Sequence, residues 1–282
     1  MKNINTFEET KETKETKETK ETKETKEKET KEKKEKKTRK PKELLQHFYN
    51  NESTAFEIGI DEAGRGPMFG RVYAAAVILP KLDDFKYELL KDSKKFSSFK
   101  KINEVADYIK ENALAYSVCY EDEKTIDKIN IRNATHSAMH KCIKNITDSN
   151  SKNIENIESK NSKKYNINYY LLVDGNDFKT YTYLNDSEML EQISHILVEG
   201  GDNKYCSIAA ASILAKVERD KYISQMCECY KKLDIYYGLE SNKGYGTSKH
   251  MEGIKIHGIS PWHRTSYGCC KTAIINKEEF YY

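Results

Sequence analysis

The sequence predicts an α/β protein in which helices pack on one central sheet. Short apolar runs rich in β-branched residues alternate with longer segments whose apolar residues recur at helical spacing. Strands that are each followed by helices are typical of layered α/β folds. A charged, repetitive N-terminal segment stands apart from this pattern and skews the composition, which is 37% hydrophobic and 33% charged.

The first predicted elements surround a glycine-containing turn. Residues 56–60 and 72–79 are apolar and predict two strands, and the turn between them covers residues 61–67. Residues 97–112 predict a helix, because their apolar side chains fall on one face. That face carries Ile102, Val105, Ala106 and Ile109.

The remaining elements continue the alternation of strands and helices. We expect strands over 113–120, 169–173 and 193–198, and helices over about 131–146, 207–229 and 247–257. Residues 147–164 are rich in Asn, Ser and Lys and predict an inserted surface loop.

Residues 1–42 predict a disordered tail. Lys-Glu-Thr repeats with a period of three, which builds no fixed helical face, and no sizeable apolar run interrupts it. The tail carries 16 Lys and Arg against 11 Glu, whereas the whole chain has a net charge of +3, so residues 43–282 are slightly acidic. Global charge therefore gives no argument for nucleic-acid binding. An alternative is that the basic residues 33–42 hold polyanions nonspecifically.

The cysteines and the hydropathy pattern predict a cytoplasmic chain that does not enter a membrane. Seven cysteines are present, and no apolar signal segment precedes them. No apolar run approaches the ~18 residues of a membrane span. We expect reduced thiols. Neither the Cys227/Cys229 pair nor the Cys269/Cys270 pair has the spacing of a zinc clamp.

Candidate catalytic carboxylates follow three of the predicted strands. Asp61 and Glu62 follow residues 56–60, Asp174 follows 169–173, and Asp202 comes shortly after 193–198. Ligands collect beyond strand ends in open α/β sheets. A single acid there is usually a turn residue or helix cap, but converging carboxylates repel each other unless a cation binds them. Hard oxygen ligands favour Mg²⁺ or Mn²⁺, and two such ions can promote phosphodiester hydrolysis.

The turn after Glu62 predicts close backbone contact with a ligand. Gly64 and Gly66 flank Arg65, and glycine lets a backbone approach a ligand closely. A dinucleotide-binding site would need a following helix and a third glycine, but Phe69 stands at that position and a strand follows. We also expect the strand to end at the Asp61-Glu62 pair, because adjacent strand residues otherwise point to opposite faces.

These motifs, taken together, resemble those of ribonuclease HII. The matching blocks, in family order, are residues 59–67 (Gly-Ile-Asp-Glu-Ala-Gly-Arg-Gly-Pro), 92–95 (Asp-Ser-Lys-Lys), 173–175 (Val-Asp-Gly), 201–202 (Gly-Asp), 207–220 and 243–245 (Lys-Gly-Tyr). They cover roughly residues 56–268. The match departs at Gly246, where proline is frequent in the family, and in the inserted loop.

The resemblance implies a fold and an activity. It implies a ribonuclease H-like fold with a mixed sheet, a catalytic domain over 43–282, and a small helical C-terminal part over about 231–282. It further implies a monomeric endonuclease that hydrolyses the RNA strand of RNA–DNA hybrids. The same enzyme would cut on the 5′ side of single ribonucleotides in duplex DNA, leaving 3′-hydroxyl and 5′-phosphate ends.

The resemblance also assigns roles to residues. Asp61, Glu62, Asp174 and Asp202 match the metal-binding carboxylates, which would hold two Mn²⁺ or Mg²⁺ ions during catalysis. Gly64, Arg65 and Gly66 match the turn that contacts the ribose 2′-hydroxyl, and Tyr245 matches the tyrosine that packs on the next sugar. Lys94 is a candidate phosphate contact, with Lys204 and Lys216 as further candidates.

Other polar residues are interpreted as structural. Asp92 is interpreted as a turn acid outside the metal set, Asp220 as structural, and Ser212 as a small packing residue. His257 and His263 are interpreted as surface or packing residues. Two alternative functions stay open: a catalytically silent hybrid-binding protein, and a type III relative with broader hybrid specificity.

Overall fold

The computed structural model describes residues 44–51, 54–158, 168–185 and 187–280, with the side chains of 149–158 excepted. The predicted tail over 1–42 lies outside the described residues. Within them, no helix combines the length and apolarity needed to cross a membrane.

A mixed five-stranded sheet forms the centre of the fold. Its strands in spatial order are β3 (Ala115–Glu121), β2 (Val72–Ile78), β1 (Phe56–Ala63), β4 (Tyr169–Asp174) and β7 (His195–Val198). β1 pairs antiparallel with β2, and β2 antiparallel with β3. β1 pairs parallel with β4, and β4 parallel with β7. The β1, β4 and β7 strands therefore end at the same edge of the sheet.

The described helices and a separate hairpin complete the elements. The helices are α1 (Phe99–Asn112), α2 (Glu123–Glu158), α3 (Cys206–Cys229), α4 (Lys231–Tyr237), α5 (Leu239–Asn242) and α6 (Ser248–His257). The strands β5 (Thr182–Leu184) and β6 (Leu190–Gln192) pair with each other outside the main sheet. The predicted strands and helices of the catalytic region are present. The hairpin was not predicted, and α4 and α5 lie in the expected helical C-terminal part, although their bounds were not predicted.

Helices cover both faces of the sheet. Ile58 and Ile60 of β1 face α2, where they pack with Met139 and Ile143. The opposite face of β1 lies against α3, and Gly59 permits this approach: a Cβ on Gly59 would stand 2.2 Å from the carbonyl carbon of Ser207. Helix α3 is buried over most of its length between the sheet and α1. A helix enclosed in this way needs small residues, which explains its alanine-rich first half.

The C-terminal part contains the helices α4 to α6 and has its own apolar cluster. Tyr237, Leu239 and Ile254 pack there with Phe69, which belongs to the connection between β1 and β2. The glycine turn is therefore connected to the C-terminal part through Phe69, which follows the turn in the chain.

Two local predictions are wrong. The strand β1 does not end at Asp61 and Glu62; it runs to Ala63, and both acidic residues pair with β2. The predicted surface loop over 147–164 is helical through residue 158, because α2 continues into it. Polar residues do not end a helix by themselves: Thr147 donates to the carbonyl of Ile143, and Lys144 pairs with Asp148 at 3.2 Å.

Candidate active site

Asp61 and Asp174 lie on neighbouring parallel strands at the same edge of the sheet. Ile60 pairs with Val173, so the two carboxylates occupy the next positions along β1 and β4. Alternation along each strand places both on the face covered by α3. Asp61 is buried, with 5% of its surface exposed. The backbone N–H of Gly201 donates to Asp174 Oδ1 at 2.6 Å, which links this edge to the turn after β7.

Glu62 points away from Asp61, because β1 continues through both residues. It follows Ile58 and Ile60 on the face that α2 covers. Arg65 Nη1 lies 3.5 Å from Glu62 Oε1 and forms an ion pair with it. The expectation that the strand ends at this pair is therefore wrong. Alternation along β1 instead directs the two side chains to opposite faces at the sheet edge.

Asp202 lies in a 3₁₀ turn, Gly201–Asn203, which two residues separate from the end of β7. Asn203 Nδ2 donates to Asp202 Oδ1 at 2.9 Å and stands 3.4 Å from Asp92 Oδ2. Asp92, interpreted from the sequence as a simple turn acid, does cap its turn by accepting from Lys94 N–H at 2.9 Å. It also shares Asn203 with Asp202, a role that sequence reasoning missed.

The carboxylates influence each other's protonation. Burial raises the pKa of Asp61 well above its usual value, and the nearby Glu62 and Asp174 raise it further. Burial also raises the pKa of Glu62, with Arg65 opposing and Asp174 adding to the shift. The pKa of Asp202 is raised by burial and then by Asp92 and Asp174. Asp174 therefore acts on the other three predicted carboxylates, which places all four in one electrostatic cluster.

Ser212 on α3 is a polar neighbour of Asp61. Its hydroxyl lowers the pKa of Asp61 against the larger effect of burial, and its Oγ lies 3.0 Å from Ser93 Oγ. The motif Asp92-Ser93-Lys94-Lys95 thus reaches Asp61 through Ser212 and Asp202 through Asn203. Ser212 was interpreted as a packing residue; its polarity, among alanines on a buried helix, was the available signal for a hydrogen-bonding role.

The glycine turn and Tyr245 lie together. A Cβ on Gly66 would stand 3.3 Å from the ring of Tyr245, whose side chain is about half exposed at 51%. Gly64 has φ +99°, and a Cβ there would stand 2.2 Å from Nε of the buried Arg219. Position 64 therefore requires glycine for both its conformation and its space.

The loop that carries Tyr245 is held by hydrogen bonds despite Gly246. The carbonyl of Tyr245 accepts from Thr247 N–H at 2.8 Å and contacts His250 Nδ1 at 2.9 Å. His250 Nε2 in turn lies 2.9 Å from His263 Nε2. His263 is buried, which confirms its interpretation as a packing residue and adds a hydrogen-bonded role.

The candidate phosphate-contacting lysines differ in their surroundings. Lys94 is exposed, and its charge lowers the pKa of Asp202. Lys216 forms an ion pair with Asp220 at 2.7 Å. Lys94 is therefore the lysine whose position beside a predicted metal ligand is supported.

Arg264 is the main residue that sequence reasoning missed. Its side chain is fully buried, yet its guanidinium donates to backbone carbonyls of the glycine turn. Its partner Tyr267 donates its hydroxyl to the carbonyl of Arg65 at 2.7 Å. An arginine in a C-terminal loop gives no sequence signal for such a contact, because it arises from residues nearly two hundred positions apart.

The donor set has the chemistry of a divalent-cation site, although it is not preassembled. Carboxylate oxygens are the ligands that Mg²⁺ and Mn²⁺ prefer, and buried carboxylates with raised pKa values are stabilised by a cation. Within the described residues, however, no three His, Cys, Asp or Glu side chains are arranged to hold a metal ion.

Known proteins resemble this chain over most of its length. The family model "Ribonuclease HII" matches residues 58–270. Ribonuclease HII from Cytophaga hutchinsonii is 41% identical over 211 residues, 75% of this chain and 88% of that protein. Ribonuclease HII from Phocaeicola vulgatus is 40% identical over 216 residues, 77% of this chain and 90% of that protein.

A solved structure supports the same fold. The crystal structure of the ribonuclease H2 from Pyrococcus horikoshii superposes with a TM-score of 0.50 at 20% identity, covering 76% of this chain and 95% of that one. The ribonuclease H-like fold expected from the sequence is confirmed. With the matched family model and relatives near 40% identity over three quarters of its length, the chain belongs to the ribonuclease HII family, the type 2 ribonucleases H.

Proposed function

We propose that this chain cleaves the RNA strand of RNA–DNA hybrids and cuts on the 5′ side of single ribonucleotides in duplex DNA. One observation carries the proposal: the carboxylate cluster at the β1 and β4 strand ends is contiguous with a glycine turn against which Tyr245 lies. Carboxylates suit phosphodiester chemistry, and backbone groups beside an aromatic ring suit recognition of a ribose at a nucleic-acid junction.

The residues divide into three roles. Asp61, Glu62, Asp174 and Asp202 would hold two divalent ions, Mn²⁺ or Mg²⁺, which when bound supply an activated water and stabilise the leaving oxygen, giving 3′-hydroxyl and 5′-phosphate products. Gly64, Arg65 and Gly66 would bind the ribose 2′-hydroxyl through their backbone, and the ring of Tyr245 would pack on the following sugar. Lys94 would contact a phosphate.

The opposed faces of Asp61 and Glu62 set a condition on this function. Because no three carboxylates are arranged as a metal site in the described residues, we propose that the side chains rotate toward the sheet edge when a cation and substrate bind. Arg65, which pairs with Glu62, would then be released toward the nucleic acid.

The proposal extends to the setting in which the enzyme works. We propose a monomeric, cytoplasmic enzyme with a catalytic domain over 43–282 and a low-complexity, disordered tail over 1–42. The seven free cysteines support the cytoplasmic setting. Deletion of residues 1–42 should leave cleavage of a short duplex unchanged.

The decisive experiment is a cleavage map on a DNA duplex that carries one ribonucleotide, with Mg²⁺ and with Mn²⁺. We expect a single cut on the 5′ side of the ribonucleotide, abolished in Asp61→Asn and in Asp174→Asn. Asp83→Asn, which neutralises an exposed carboxylate after β2, serves as the control and should cleave normally.

Other outcomes would change the assignment. Binding without cleavage in either metal would support a catalytically silent hybrid-binding protein. Efficient cleavage of a long RNA–DNA hybrid, with none of the single-ribonucleotide duplex, would support a specificity like that of the type III enzymes. Undiminished cleavage by the Asp61 and Asp174 variants would remove the metal-site assignment.

A further inference from the structure

Arg264 is a fully buried arginine whose hydrogen bonds go almost entirely to backbone carbonyls of one turn. Its guanidinium donates to the carbonyl oxygens of Gly64 and Pro67, both at 2.7 Å, and of Arg65 at 3.1 Å. It also donates to Gly70 at 2.8 Å and Arg71 at 3.0 Å. No carboxylate lies among these partners, so the buried charge is balanced by peptide dipoles. Burial accordingly lowers the pKa of the group to about 10.

These bonds decide which way the turn presents its polar groups. In a trans peptide the C=O and the next N–H point in opposite directions. Since the carbonyls of Gly64 and Arg65 point inward to Arg264, the N–H groups of Arg65 and Gly66 point outward. Within the described residues neither of these two N–H groups has a hydrogen-bond partner. Both residues are exposed, and Gly66 faces the ring of Tyr245.

A second residue of the same segment supports the arrangement. The Tyr267 hydroxyl donates to the carbonyl of Arg65 at 2.7 Å and accepts from Arg264 Nη1 at 3.3 Å. Asp127 on α2 anchors this segment by accepting from the backbone and side chains of Thr265 and Ser266. The anchor does not itself contact the turn.

We propose that Arg264, with Tyr267, is a positioning residue for ribonucleotide recognition: it fixes the turn so that two free backbone donors face the sugar beside Tyr245. This rests on the proposed function. It predicts that the segment acts on the distinction between ribose and deoxyribose more than on duplex binding itself, because the outward donors need the oxygen of a 2′-hydroxyl as acceptor.

The test measures dissociation constants for two duplexes of the same sequence, all DNA or with one ribonucleotide, in EDTA so that neither is cleaved. The dissociation constant of the all-DNA duplex divided by that of the single-ribonucleotide duplex reports ribose recognition. The thermal unfolding of each variant is followed alongside. Tyr267→Phe, which removes the hydroxyl and its bonds to Arg65 and Arg264, should lower the ratio about fivefold. Arg264→Lys should lower it about tenfold or more, since an ammonium cannot reach five carbonyls spread around a guanidinium.

Asp127→Asn is the matched control. It loosens the same segment without touching the turn, and should lower the unfolding temperature while the ratio falls clearly less than it does in Tyr267→Phe. If Arg264→Lys does not fold, the comparison of Tyr267→Phe with Asp127→Asn decides. An unchanged ratio in Tyr267→Phe, or an equal drop in Asp127→Asn, overturns the inference. A wild-type ratio of one would instead overturn the proposed recognition of ribose.

Discussion

Gly64 lies against the buried guanidinium of Arg219, so closely that a Cβ on Gly64 would stand 2.2 Å from Arg219 Nε. Nη2 of Arg219 donates to the carbonyl oxygen of Lys243 at 2.8 Å, and Lys243 lies next to the Tyr245 loop. One side chain of α3 thus packs between the glycine turn and the tyrosine loop and sets their separation.

This contact makes Gly64→Ala a sharp test of the turn. The substitution meets both a positive φ of +99° and the Arg219 side chain. We expect a loss of at least about 2 kcal/mol in the free energy of unfolding and loss of cleavage. Gly268→Ala is the control, since Gly268 has φ +38° and nothing within 4 Å of an added Cβ. It should cost about 1 kcal/mol and leave cleavage intact. Equal effects of the two substitutions would argue against a specific role of the contact.

Asp61→Asn should stabilise the protein when no divalent cation is present. Because the folded-state pKa of Asp61 is raised, its charged form costs stability at neutral pH, and this cost disappears as pH falls through the raised pKa. The neutral amide removes the cost, worth about 1 kcal/mol or more, and can still accept from Glu62 N–H. Urea unfolding in EDTA measures this. Added Mg²⁺ should then stabilise the wild type more than the variant. A less stable variant in EDTA would contradict the prediction.

Ser212→Ala should weaken metal binding, because Asp61 loses the hydroxyl that favours its charged form. We expect the Mn²⁺ concentration for half-maximal binding, followed by calorimetry, to rise about tenfold. Ser207→Ala on the same helix is the matched control, since Ser207 Oγ is buried without a partner in the described structure. It should bind Mn²⁺ normally and be at least as stable as the wild type. Equal Mn²⁺ affinity in both variants would show that Ser212 does not support metal binding by Asp61.

The buried histidine pair should make stability fall in mild acid. Burial lowers the pKa of His250 and lowers that of His263 well below its usual value. The unfolded chain therefore takes up protons below about pH 6.5 that the folded chain does not, and stability falls as pH decreases. His263→Asn should reduce this slope by up to about 1.4 kcal/mol per pH unit. The check is urea unfolding of wild type and variant at about pH 7.5 and about pH 5.5, on either side of the ordinary histidine pKa. The difference between the two proteins in free energy of unfolding is compared at the two pH values, because the carboxylate contributions cancel in that difference. An unchanged slope would exclude His263 as the cause.

The sequence alone determined the family, the fold class and the identity of the candidate residues. Strand and helix periodicity located the elements, because an element that buries one face carries apolar residues at a regular spacing. The acidic residues near the ends of β1 and β4 and after β7, together with the glycine turn, were recognisable because each stands in a short contiguous motif.

Tertiary structure decided how those residues are arranged and what supports them. Pairing with β2 extends β1 past Asp61 and Glu62, so the sheet, rather than the local turn, sets their opposite directions. The contacts of Ser93 with Ser212 and of Arg264 with Gly64 join residues far apart in the chain. No local sequence pattern predicts such pairs. The partners are distant in the chain, and they meet only because the sheet and its helices pack together.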